Sequence, residues 1–133
     1  IWRLWTDAGE EQTDAVMARG MAEISTGDYP AALEHFNVVI EMAPYFAEGW
    51  NKRATVLYFM GDFEGSVRDI GRTLALEPRH WGALSGLGLI HMRSNNLRGA
   101  IKAFEGAIAI NPHLAGTKIR LKQLKIMLKG RPT

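Results

Sequence analysis

The sequence predicts an all-α fold in which three helical hairpins follow one another and a further helix closes the chain. Three observations carry this. Pro44, Pro78 and Pro112 recur every thirty-four residues along a chain of 133. The same period aligns residue classes across the units: Gly20, Ala54 and Gly88; Ala32, Ser66 and Ala100; Phe36, Ile70 and Phe104. Between these marks the apolar residues fall at helical spacing, as in Leu33, Phe36, Val39 and Ile40.

Residues 1–12 precede the first unit and open on Ile1-Trp2-Arg3-Leu4-Trp5. Two tryptophans beside isoleucine and leucine are costly to leave in water, so this stretch reads as the stub of an upstream helix covering the first hairpin. A sharper reading has it dock into a groove, its own or a neighbour's. The contiguous units are 13–46, 47–80 and 81–114, with Val16, Trp50 and Leu84 near their starts. Gly27-Asp28, Gly61-Asp62 and Asn95-Asn96 each interrupt a unit near its middle. Glycine and asparagine tolerate a left-handed backbone and so stop a helix, and the Asp or Asn that follows can cap the next one. The proline ends that second helix, because the residue before proline is disfavoured in the α region. The aligned small residues predict that the paired helices approach closely. Residues 115–130 predict a capping helix, with Leu121, Leu124 and Leu128 on one stripe, Met127 beside it, and Lys118, Lys122, Lys125 and Lys129 on another. Ile119 and Ile126 lie on a further side, a wider apolar surface than a cap needs, so a second contact such as another subunit is a competing reading.

These spacings and residue classes resemble the tetratricopeptide repeat, and the resemblance covers residues 13–114 without an insertion. It implies a right-handed α-solenoid of three hairpins, whose first helices line a concave surface that holds a peptide or protein. Carried over by position, the lining includes Met17, Met21 and Ile24 from the first unit, with Asp14 and Ser25 beside them. Asn51, Thr55, Tyr58 and Phe59 come from the second with Glu48, and Ser85, Leu89, Met92 and Arg93 from the third with Gly82. Their chemistry is apolar and methionine-rich with a few polar handles, which suits an amphipathic helix or an apolar extended peptide. Family members that grip a chaperone's C-terminal carboxylate place lysine, asparagine and arginine where this chain has Met17, Met21, Lys52, Gly82 and Gly86, so a clamp of that kind is not expected. A looser resemblance to small bacterial proteins of this family that are made with an export signal tilts the expected compartment toward export. Ile1, standing where a methionine would begin a full chain, reads as the start of a fragment or processed product.

Two departures from the family pattern stand out. Arg19 and Arg53 occupy positions that are often aliphatic, and Glu23 falls where a large apolar residue is usual. Glu23 can pair with Arg19 one turn away or with Arg53 on the next hairpin.

Composition narrows the function classes. An apolar fraction of 47% and a charged fraction of 23% fit a globular protein with one continuous core. No apolar run reaches the roughly 20 residues that span a bilayer. Cysteine is absent, which excludes thiolate metal sites and nucleophiles. His35, His80, His91 and His113 fall in no ligand spacing, and neither a glycine-rich phosphate loop nor a Gly-x-Ser-x-Gly elbow occurs. The expectation is a binding protein, without catalytic residues, metal or cofactor. The net charge of +2 hides an asymmetry: from Ala115 onward there are six basic residues and no acidic one, and the rest sums to −4. Three functions follow in order: an interaction scaffold for a protein or peptide, self-assembly through the terminal segments, and contact of the basic helix with nucleic acid or anionic lipid. Nucleic acid ranks last, because no aromatic residue interleaves the basic ones for base stacking.

Overall fold

The computed structural model describes residues 2–131, with side chains from Glu10 onward. The side chains of Trp2 and Trp5, and with them the docking reading of residues 1–5, lie outside the described residues. Seven helices and no strand occur among the described residues: α1 (Trp2–Thr26), α2 (Tyr29–Met42), α3 (Ala47–Phe59), α4 (Phe63–Leu76), α5 (Trp81–Arg93), α6 (Leu97–Ile110) and α7 (Ala115–Lys129). The all-α helical-repeat class is therefore as expected. Residues 2–12 and the first helix of the first hairpin are one continuous helix, α1.

The interruptions behave as their chemistry dictates. Gly27 (φ 80°), Gly61 (φ 86°) and Asn95 (φ 60°) sit in the left-handed region. Each next residue then caps the following helix. Asp28 accepts from the Ala31 amide at 3.4 Å, Asp62 from Gly65 at 2.9 Å and Asn96 from Gly99 at 3.1 Å. Pro30 in the first turn of α2 presets the helical φ and wastes no amide. Helices α2, α4 and α6 each stop two residues before the repeated proline. Replacing Asp62 with alanine removes the shortest of the three caps and is expected to cost about 1 kcal/mol, read from the denaturant midpoint.

Where chain length alone suggested one continuous core, the helices gather into two compact units, residues 1–76 and 77–133. Repeat proteins contact only sequence neighbours, so burial is local. In the first unit α1 pairs with α2, α3 with α4, and α2 packs on α3. Its core joins Met17, Ala32, Phe36, Val39 and Val56. In the second, α5 pairs with α6, and α7 packs on α6. Its core joins Leu97, Ala100, Ile101, Phe104 and Leu124.

The small-residue columns do let helices approach, but the partner they admit is a ring. A Cβ on Gly20 would lie 2.6 Å from the Phe36 ring, and one on Gly88 would lie 2.5 Å from the Phe104 ring. Ala32 and Ala100, expected as the matching sites, are themselves fully buried. In the middle hairpin the aligned pair is Ala54 and Ile70, where a branched aliphatic replaces the ring and leaves room for a methyl. Ser66 Oγ donates to the Ala54 carbonyl at 2.7 Å and so is satisfied while buried.

Candidate functional site

Met21, Ile24 and Met17 lie on α1, and Asn51, Thr55, Tyr58 and Phe59 on α3, all within the first unit. The structure gives them different fates. Met17 is buried in the core against Phe36 and Val56, so it serves packing. Ile24 is half-buried against the same cluster. Met21, one turn further along α1, is 46% exposed, and Phe59 is 50% exposed. Phe59 stacks on Tyr29 with ring centroids 5.3 Å apart, and its edge meets Tyr58 at 5.7 Å. Tyr58 in turn leans on Phe63 at 5.6 Å. The exposed ring of Phe59 is thus held in place by aromatic neighbours, which removes much of the entropy cost of presenting it to a ligand.

The polar handles of α3 bond to their own helix. Thr55 Oγ1 donates to the Asn51 carbonyl at 3.1 Å, and Asn51 Nδ2 donates to Glu48 Oε1 at 3.2 Å. Lys52, the one basic residue at a clamp position, lies 3.7 Å from the same Glu48 oxygen. The surface they offer is less polar than their side chains suggest.

In the second unit, Ser85, Leu89, Met92 and Arg93 lie on α5. Leu89 and Met92 pack against the core around Phe104. Ser85 Oγ is buried and has no hydrogen-bond partner among the described residues. Arg93 is exposed in the last turn of α5, where the helix dipole favours a cation.

The charged departures form a different constellation. Glu23 meets neither Arg19 nor Arg53. Its partner is His35 Nδ1 at 2.5 Å, across the first hairpin. Arg53 instead grips Asp69 on α4, with Nε 2.7 Å from Oδ2 and Nη2 2.9 Å from Oδ1, and reaches Asn37 on α2 at 3.1 Å. The hydrogen bonds that Arg53 donates to the Asp69 carboxylate raise the pKa of its guanidinium above the ordinary value, against the opposing effect of burial. Trp50 donates from Nε1 to the Pro44 carbonyl at 2.9 Å, and its ring lies under Arg53 and Arg72 at 5.1 and 5.5 Å. A cleft of about 240 Å³ opens beside this pair, bordered by Leu33, Asn37, Leu57 and Arg68. The sequence carries a signal for the pair: at one period's distance Arg53 and Asp69 become Leu87 and Ala103, so both members turn apolar together.

The histidines are occupied structurally where their partners are seen. His80 Nδ1 caps α5 by accepting from the Ala83 amide at 3.0 Å, and His91 Nδ1 meets Asn96 Nδ2 at 3.2 Å. Among the described residues no group of three His, Asp or Glu is placed to hold a metal ion, and no helix is long and apolar enough to cross a membrane.

Comparison with known proteins agrees with the hairpin geometry. Residues 51–115 match the tetratricopeptide repeat family model. A TPR repeat-containing protein of Rhizobium etli is 35% identical over 129 residues, covering 97% of this chain and 63% of that protein. Tetratricopeptide repeat protein 36 of Danio rerio is 31% identical over 109 residues, covering 79% of this chain and 58% of its own length. The chain thus spans less than two thirds of either relative. Among solved structures, the first TPR of Spaghetti (RPAP3) bound to the HSP90 peptide SRMEEVD has a TM-score of 0.84 at 18% identity, over 90% of this chain and 95% of that one. At that identity the likeness is one of fold.

Proposed function

Because the chain belongs to the tetratricopeptide repeat family, we propose that it is a protein-interaction scaffold whose first-helix face in the first unit takes an apolar or amphipathic peptide. One observation carries this reading. On α1 and α3 two large apolar side chains, Met21 and Phe59, stand about half exposed, while Asn51 and Thr55 on α3 bond within their own helix. Methionine adapts to varied apolar shapes, and the stacked phenylalanine offers a fixed anchor.

The ligand differs from the acid-ended peptide held by the Spaghetti structure. At the positions that match a carboxylate clamp, Met17 is buried, Met21 is uncharged, Lys52 is paired with Glu48, and Gly82 and Gly86 have no side chain. An acidic C-terminus finds no free cation there.

Fluorescence anisotropy with two labelled peptides tests the proposal, one an amphipathic helix with leucines at helical spacing and one ending in acidic residues. The amphipathic peptide should bind and the acidic one should not. Met21→Glu and Phe59→Ala should each weaken capture roughly tenfold, the scale of a modest anchor residue, with the thermal melt retained. Undiminished binding by both variants would remove this face from consideration.

A further inference from the structure

Helix α7 has two faces that differ in kind. Leu124 is buried at 1% exposure against the core of the second unit, and Leu121 and Leu128 pack beside it. Helical spacing places Ile119 and Ile126 on roughly the opposite side, where they are 61% and 64% exposed. Between these isoleucines and the packed side run Lys118, Lys122 and Lys129, all exposed. Other cations of the helix are engaged: Lys125 lies 3.2 Å from Glu105, Arg120 lies 6.0 Å over the Phe104 ring, and Arg131 beyond the helix end donates to Asn95 at 2.6 Å. Lys118, Lys122 and Lys129 make no ion pair among the described residues, and no acidic residue occurs from Ala115 onward.

We propose that this outer face of α7 docks on an anionic lipid surface, with Ile119 and Ile126 entering the headgroup boundary and Lys118, Lys122 and Lys129 meeting lipid phosphates. The shape of the surface favours a plane over a groove-bound ligand, because the isoleucines form a convex ridge opposite the packed face. Its charge selects an anionic occupant. A second copy meeting α7 to α7 would set two rows of unpaired lysines against each other. Duplex nucleic acid satisfies the lysines but leaves the isoleucines unused, and the helix has no aromatic residue to stack on a base. An anionic bilayer uses both stripes, since a lysine stem spreads on the interface while its ammonium reaches the phosphates.

Sedimentation of the chain with phosphatidylcholine vesicles, with and without added phosphatidylglycerol, tests this. The chain should pellet with the anionic vesicles alone, and less so as salt rises from about 0.05 M to about 0.5 M. Lys118→Gln/Lys122→Gln/Lys129→Gln should weaken binding about a hundredfold, near fivefold per lysine. Ile119→Ser/Ile126→Ser, with charge unchanged, should weaken it about tenfold. Both sets alter exposed side chains, and circular dichroism melts confirm folding before the comparison. No sedimentation with anionic vesicles at low salt, or equal sedimentation with neutral ones, would overturn the proposal. So would an isoleucine variant that binds like the parent, or binding to duplex DNA without binding to vesicles.

Discussion

Replacing Arg53 with leucine is expected to cost about 3 kcal/mol of folding stability, although leucine is the residue one period away at position 87. The reason is what remains. The Asp69 side chain is 5% exposed, and Arg53 donates to both of its oxygens. Without the guanidinium a buried carboxylate stands uncompensated, and that penalty exceeds the Coulombic value of the pair itself. Asp69→Ala alone should cost less, about 1–2 kcal/mol, because Arg53 keeps Asn37 and the Trp50 ring and has partial access to water. The double variant Arg53→Leu/Asp69→Ala copies the third hairpin and should return to within about 1 kcal/mol of the parent. Denaturant unfolding of all four proteins gives the coupling directly. Additive losses would mean that the pair does not act as a unit. Since its folded value is raised, Arg53 contributes its stability at every pH below its ordinary value, and that contribution is lost only as pH rises through the folded value. Across the neutral range the effect should therefore not vary on the arginine side.

Gly88→Ala is the second large effect, and it runs against helix propensity. Alanine in mid-helix normally gains about 1 kcal/mol over glycine. Here the new methyl would sit 2.5 Å from Phe104 Cε1, on a ring with no exposed surface, so the helices must part or the ring must leave its rotamer. A net loss of about 2 kcal/mol is expected. Phe104→Ile alone should also destabilise, by about 1–2 kcal/mol, through the space that the ring vacates. Combined, the two changes reproduce the Ala54 and Ile70 pair of the middle hairpin and should recover at least 1 kcal/mol of the summed loss. Recovery would show that the column of small residues is matched to the column of rings within each hairpin. No recovery would mean that the hairpins are individually tailored beyond these two positions.

Helix boundaries, turns and caps were legible in the sequence because each depends on local chemistry. Gly27, Gly61 and Asn95 need only their own φ, and Asp62 needs only the amide three residues on. Side-chain partners across helices were less legible. Periodicity gives the face a residue occupies, yet it does not give the height at which a neighbouring helix crosses. Met17 and Met21 share a face of α1 by spacing, but the neighbouring helices cover only the first. Glu23 illustrates the same limit: spacing offered Arg19 and Arg53, and the hairpin closed it onto His35. The Arg53–Asp69 pair could have been found, because both columns change to apolar together in the third unit.

Within each unit, the same distinction separates packed from exposed members of the residues assigned by position. Met17, Leu89 and Met92 hold hairpins together, whereas Met21 and Phe59 offer surface. Truncating the first group should act on stability, and truncating the second on capture.

Hydrogen–deuterium exchange of the chain, alone and saturated with the amphipathic peptide, tests the binding claim most directly. Peptide capture on the first-helix face should slow exchange in the second half of α1 and along α3, leaving the outer turns of α2 and α4 unchanged. Slowed exchange confined to α2 and α4, with α1 and α3 unaltered, would contradict it.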